Sequence, residues 1–190
     1  MTKDQVIDEQ LYVIGFCLQH NNIPDIYTLI TYGGEYDRPL LQDTSLLFFE
    51  TPSLTHKALE ISTNGLQNIP LHSLEVSLTC YVHHTLELIR AKTHDNASSI
   101  LNCLNTFFDL INALEPSLSE HDQALLYSFA DHMTFHREFG DFLLKNRIKR
   151  ESLLSSMYQC IKIISSHSLC RTFQGLKECS LWNDILTSEI

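Results

Sequence analysis

The hydrophobic period becomes helical from Thr93 onward and stays so, and that change constrains the fold more than any other feature. Between Leu11 and Phe49 the apolar residues come in short runs of strand length. From Thr93 onward they recur every three or four residues, the spacing of one face of a helix. Leu11 to Leu18 is apolar on both alternating faces, which predicts a strand buried on both sides. Tyr27 to Tyr32 and Ser45 to Glu50 read as two further strands, separated by the Gly33-Gly34 stop and by Pro39. Thr51-Pro52 reads as a helix start, with Leu54, Ala58, Leu59 and Ile61 on its apolar side and Asn64-Gly65 as its stop.

Residues 75–82 admit two periods. Leu71, Leu74, Leu78, Val82 and Ile89 form a helical stripe, but Val76, Leu78, Cys80 and Val82 alternate fully with Glu75, Ser77, Thr79 and Tyr81. The alternation and the β-rich composition favour a strand, followed by a short helix from His83 to Lys92. Asp95 then caps a helix reaching Leu114 at the Glu115-Pro116 stop, with Asn102, Asn105 and Asp109 opposite its apolar stripe. Ser119 and Asp122 resemble a capping box opening the next helix, which runs through Phe139. A helix over 150–167 and a short one around Trp182 complete the chain. The pattern predicts an α+β fold: a small mixed sheet with one or two helices in the N-terminal half, packed against an all-helical C-terminal half. The sub-domains are residues 1–92 and 93–190, joined in one compact unit.

Charge narrows the functional classes. The 190 residues carry 13 Lys+Arg against 23 Asp+Glu, a formal net charge of -10, which argues against a nucleic-acid partner. No apolar window approaches the length of a membrane span, and the N-terminal residues lack the basic and apolar runs of a secretory signal. None of the six cysteines lies in a C-x-x-C pair, and most sit in apolar segments, which suits reduced thiols in a cytoplasmic protein. No phosphate loop, nucleophile elbow, dinucleotide fingerprint or H-E-x-x-H is present.

Four groups of residues carry what chemistry remains. Asp25, Glu35, Asp37 and Asp43 lie in turns of the acidic half and are the predicted partner-binding face. Lys145, Arg147, Lys149 and Arg150 form the most basic stretch and are the anion-binding candidate, set against a simpler role complementing a helix C-terminus. His132 and His136, spaced i, i+4, have the geometry to chelate a transition metal such as zinc. His83, His84 and Glu87 form a weaker chelate, and Cys160, His167, Cys170 and Cys179 hold zinc-ligand types without close zinc-site spacing. Cys170 also has His167 and Arg171 beside it, a setting that lowers a thiol pKa.

The run from Phe48 to Leu59, with Thr51-Pro52 before an alanine-containing helix, resembles the strand-to-helix junction of SseB-like α+β domains. That resemblance implies a non-enzymatic interaction domain. The acidic α+β half, the helical half and the lack of a catalytic signature or cofactor loop give the expectation of a cytoplasmic, non-catalytic protein that binds another protein of basic character, as an adaptor, regulatory subunit or immunity protein, with no cofactor. The alternative is a metal-dependent enzyme or sensor built on the helical histidine pair; a homo-oligomer is a third.

Overall fold

The computed structural model describes residues 9–55, 66–91, 97–135 and 139–187. Strands β1 (Gln10–Cys17) and β2 (Ile26–Tyr32) form an antiparallel hairpin in which Val13 faces Leu29. Two-residue strands β3 (Arg38–Pro39) and β4 (Leu41–Gln42) lead into β5 (Ser45–Phe49). The long strand β6 (Leu71–Tyr81) then lies parallel to β1 at one edge. Helices α1 (Val82–Ala91), α2 (Ala97–Asn112), α3 (Glu120–Phe135), α4 (Phe139–Asn146) and α5 (Arg150–Ser166) follow. Strands β7 (Ser168–Thr172) and β8 (Gly175–Glu178) and helix α6 (Leu181–Thr187) end the described chain. Among the described residues the sheet has eight strands, in the order β6-β1-β2-β5-β7-β8, with β3 paired to β2 and β4 to β5.

The class is α+β, but two parts of the expectation change. The sheet is not small, and the C-terminal half is not all-helical, because β7 enters it parallel to β5 with Leu47 opposite Leu169. Residues 168–172 alternate in burial, and Gly175, at φ 136°, turns the chain back into β8. The helix expected from Thr51 is described only as a 3-10 turn, Pro52–Leu54, and its remainder falls outside the described residues. The Asp95 cap falls outside them too. Residues 71–91 form the strand followed by the helix that alternation favours.

Both faces of the central strands are buried, which explains their continuous apolar runs. Ile14, Phe16, Ile26, Ile30, Phe48 and Cys80 pack beneath the helices. On the opposite face Leu11, Val13, Leu29, Leu47 and Phe49 pack with Leu40, Leu54 and Leu66. Trp182 is fully buried in the first cluster and meets Phe16 and Phe48 edge-on at 5.5 Å each, and Phe107 at 6.2 Å. The capping box is real. The Asp122 amide donates to Ser119 Oγ at 3.1 Å, while Asp122 Oδ1 accepts from Ser156 on α5 at 2.6 Å, tying two helices together.

Trp182→Ala removes the ring that three aromatic side chains contact and should destabilise the protein by about 3–5 kcal/mol in urea unfolding. Trp182→Phe should cost much less. It keeps most of the packing and deletes an indole N–H that is buried without a hydrogen-bond partner among the described residues.

Candidate functional site

Helix α2 has two chemically different sides. Ile100, Leu104, Phe107 and Ile111 are buried in the core. Ser98, Asn102, Asn105, Asp109 and Asn112, spaced four, three, four and three residues apart, make a polar stripe along another side. That stripe walls two open clefts of about 450 and 470 Å³, and Asn102 lines both.

The larger cleft is acidic and aromatic. Tyr32 at the end of β2, Asp37 in the following loop, Leu78 on β6, Phe108 and Asp109 on α2 and Tyr127 on α3 line it. Phe108 and Tyr127 stack with centroids 4.2 Å apart. Burial, reinforced by the nearby Asp37 carboxylate, lifts Asp109 from the ordinary carboxylate range to about 7. Burial raises Asp37 as well. No lysine or arginine among the described residues lines this cleft. Arg38, adjacent in sequence to Asp37, is committed elsewhere: its Nη2 donates to Glu9 Oε1 at 2.7 Å and holds the Glu9 carboxyl below its usual range.

The smaller cleft holds a histidine corner. His83 and Glu87 stand one turn apart at the start of α1, and His20 reaches them from the loop between β1 and β2. That loop is fixed by Asp25, whose Oδ2 accepts the amides of Leu18 at 2.7 Å and Gln19 at 3.1 Å, while Oδ1 accepts Asn21 Nδ2 at 3.1 Å. Gly15 lets the loop fold back, because a Cβ there would lie 2.6 Å from Pro24 Cγ. The His20 and His83 rings come within 3.5 Å, centroid to centroid. Burial first, and then the neighbouring His20, pull the His83 pKa down, favouring the neutral imidazole.

The residues singled out in the sequence fall into different settings. Asp25 organises its loop, whereas Glu35 and Asp37 are exposed in one turn and flank Tyr36, which is 73% exposed. Asp43 occupies a separate turn in left-handed backbone, φ 55°. Lys145 pairs with Asp141 at 3.6 Å, and Arg147 makes a left-handed turn. Lys149 precedes α5 in extended backbone, and Arg150 donates to the Arg90 carbonyl at 2.6 Å and to Glu151 at 3.1 Å. None of these four lines the clefts described above. His132 is buried beside Phe142, while His136 lies outside the described residues. Cys160 is in the core, and His167 Nδ1 bonds the Ile163 carbonyl at 2.9 Å on its own helix. All six cysteines are free and buried. The hydrogen bond from Cys179 lowers the Cys170 thiol. Among the described residues no helix is long and apolar enough to cross a membrane.

Sequence reasoning pairs His83 with Glu87 but misses His20, which is remote in the chain. It places Asp109 on the polar side of its helix without bringing Asp37 to it. No family model, no curated protein and no solved structure matches this chain, so the short resemblance around Phe48 to Leu59 gains no family behind it.

Two outcomes follow from these settings. A carboxyl raised in the folded state keeps its proton where the unfolded chain has lost it, so Asp109 withdraws stability as pH rises from about 4 towards 7. Asp109→Asn should therefore be more stable than the parent above pH 7, and the difference should shrink towards pH 4 in thermal melts. Asp25→Ala strips three hydrogen bonds from the His20 loop. It should cost about 1–2 kcal/mol and speed amide exchange at Leu18 and Gln19 first.

Proposed function

We propose that the protein is a non-catalytic binding protein, and that its acidic cleft receives a lysine or arginine side chain from a basic segment of another protein. The observation that carries this reading is that Asp37 and Asp109 line one cleft walled by Tyr32, Phe108 and Tyr127, with no lysine or arginine among its described residues. Two partly desolvated carboxylates, both raised by burial and Asp109 further by Asp37, leave an electrostatic deficit that a cation corrects. Aromatic faces beside them attract the same cation through their quadrupoles. The cleft is open rather than enclosed, which suits a side chain presented on a partner's surface better than a wholly engulfed small molecule.

Exposed Tyr36 between Glu35 and Asp37 adds a rigid amphipathic contact next to the cleft, the residue type that dominates binding energy at interfaces. Net charge of -10 steers a basic partner towards the surface before contact.

Fluorescence anisotropy of a labelled lysine-rich peptide, with a glutamate-rich peptide as control, tests the reading. Binding should strengthen from pH 5 to pH 8 as Asp109 ionises, and weaken with salt. Asp109→Asn and Asp37→Asn should each weaken it about tenfold, a loss of roughly 1.4 kcal/mol. Glu35→Lys should slow association more than it speeds dissociation. Equal affinity for the parent and both asparagine variants would remove the cleft from the interface.

A further inference from the structure

We infer that His20, His83 and Glu87 form a binding site for one divalent transition ion of the zinc class, with an open coordination position facing the smaller cleft. This goes beyond the binding of a basic partner and rests on different residues.

The geometry is that of three ligands around a gap. One ligand atom from each residue lies within 4.8 Å of the other two. His20 Nδ1 is 3.8 Å from Glu87 Oε1, and His83 Nδ1 is 3.7 Å from Glu87 Oε2. Both separations exceed a hydrogen bond, so the carboxylate satisfies neither ring as a direct partner. They also approach the spacing a metal imposes. With bonds of about 2.0–2.1 Å, ligand atoms of a tetrahedral zinc site stand roughly 3.3 Å apart, so the two His–Glu separations need to close by about half an ångström, and no pair of ligand atoms by more than about 1.5 Å. The parts that must move are free to do so: the His20 side chain is 71% exposed and that of Glu87 46%.

A second observation points to a ligand. His83 Nδ1 is buried and has no hydrogen-bond partner among the described residues, a state that costs free energy unless something fills it. That atom faces the same carboxylate as His20. An ion bound there satisfies the orphaned nitrogen and the Glu87 charge together.

The donor set selects the metal. Two imidazoles and one carboxylate suit zinc, cobalt, nickel or ferrous iron over magnesium or calcium, which take oxygen ligands. Three protein ligands leave at least one position for water or another ligand, and the adjoining walls of Asn21, Asn22, Ser98, Ser99 and Asn102 offer it hydrogen bonds. The Asp25 bonds that fix the loop are the outer support of the site, since they set where His20 is held.

The test is zinc binding by calorimetry to the full, untagged chain after chelator treatment, with cobalt absorption as a second readout. One equivalent of zinc should bind, and the cobalt spectrum should show nitrogen and oxygen ligation without a thiolate charge-transfer band. His20→Ala should weaken zinc by about 100-fold or more, and Glu87→Gln by about 10- to 100-fold. Both side chains are exposed, so the variants should keep the parent circular dichroism. His136→Ala should bind as the parent does, and so should a change to alanine at His72, which lies on β6 and bonds Gln10 at 2.9 Å. The inference fails if zinc at a concentration on the order of 0.1 mM does not bind. It also fails if His20→Ala binds like the parent, if His136→Ala abolishes binding, or if cobalt shows thiolate ligation.

Discussion

Trp182 sits where the sheet, the helical layer and the end of the described chain meet, and the arrangement of both clefts depends on its burial. Its ring meets Phe16 on β1, Phe48 on β5 and Phe107 on α2. Next to these contacts β7 adds to β5, so the chain after α5 returns to extend the sheet made by residues near its start. Phe107 fixes the rotation of α2 about its own axis. Once that apolar side is docked, the helical period leaves no freedom for the stripe from Ser98 to Asn112, which must face the clefts.

The orientation of that stripe produces the chemistry. Asp109 is set deep enough beside Tyr32 and Phe108 to lose solvation, yet at the wall of an open cleft where a ligand can reach it. The Glu9–Arg38 pair holds the neighbouring guanidinium, which leaves Asp37 and Asp109 in one cleft without a lysine or arginine among its described lining residues. At the other cleft, the Asp25 carboxylate and the close approach of Pro24 to Gly15 set the loop that carries His20. Both clefts thus combine a residue fixed on a helix with one brought in by a loop after a strand.

Much of the frame was legible because it follows from period and local chemistry. The two-sided burial of β1, the alternation of β6 and the Ser119–Asp122 cap are each written within a few consecutive residues. The β7–β8 hairpin was not, since its strands are five and four residues long and mix cysteine, arginine and lysine with few branched apolar side chains. β7 takes its place from its partner β5, which no local window contains, and β8 pairs with β7 in turn. The same limit applies to the sites. Asp37 was marked as an acidic turn residue, but its pairing with Asp109 needs the β2 loop to approach α2. His83 and Glu87 are a helical pair visible by spacing, whereas His20 joins them through tertiary structure. Asp25 carried the right charge and the wrong surroundings for a free surface group, because its oxygens are spent on its own loop.

Asp37 and Asp109 line one cleft with no lysine or arginine among its described residues, and Asp37 adds to the burial that raises Asp109. The carboxyl-carbon chemical shift of Asp109, followed by NMR against pH in the parent and in Asp37→Asn, measures that directly. The parent should titrate near 7, well above an ordinary carboxylate, and Asp37→Asn should titrate lower because one negative neighbour is gone. An ordinary carboxylate midpoint for Asp109 in both proteins would contradict the account.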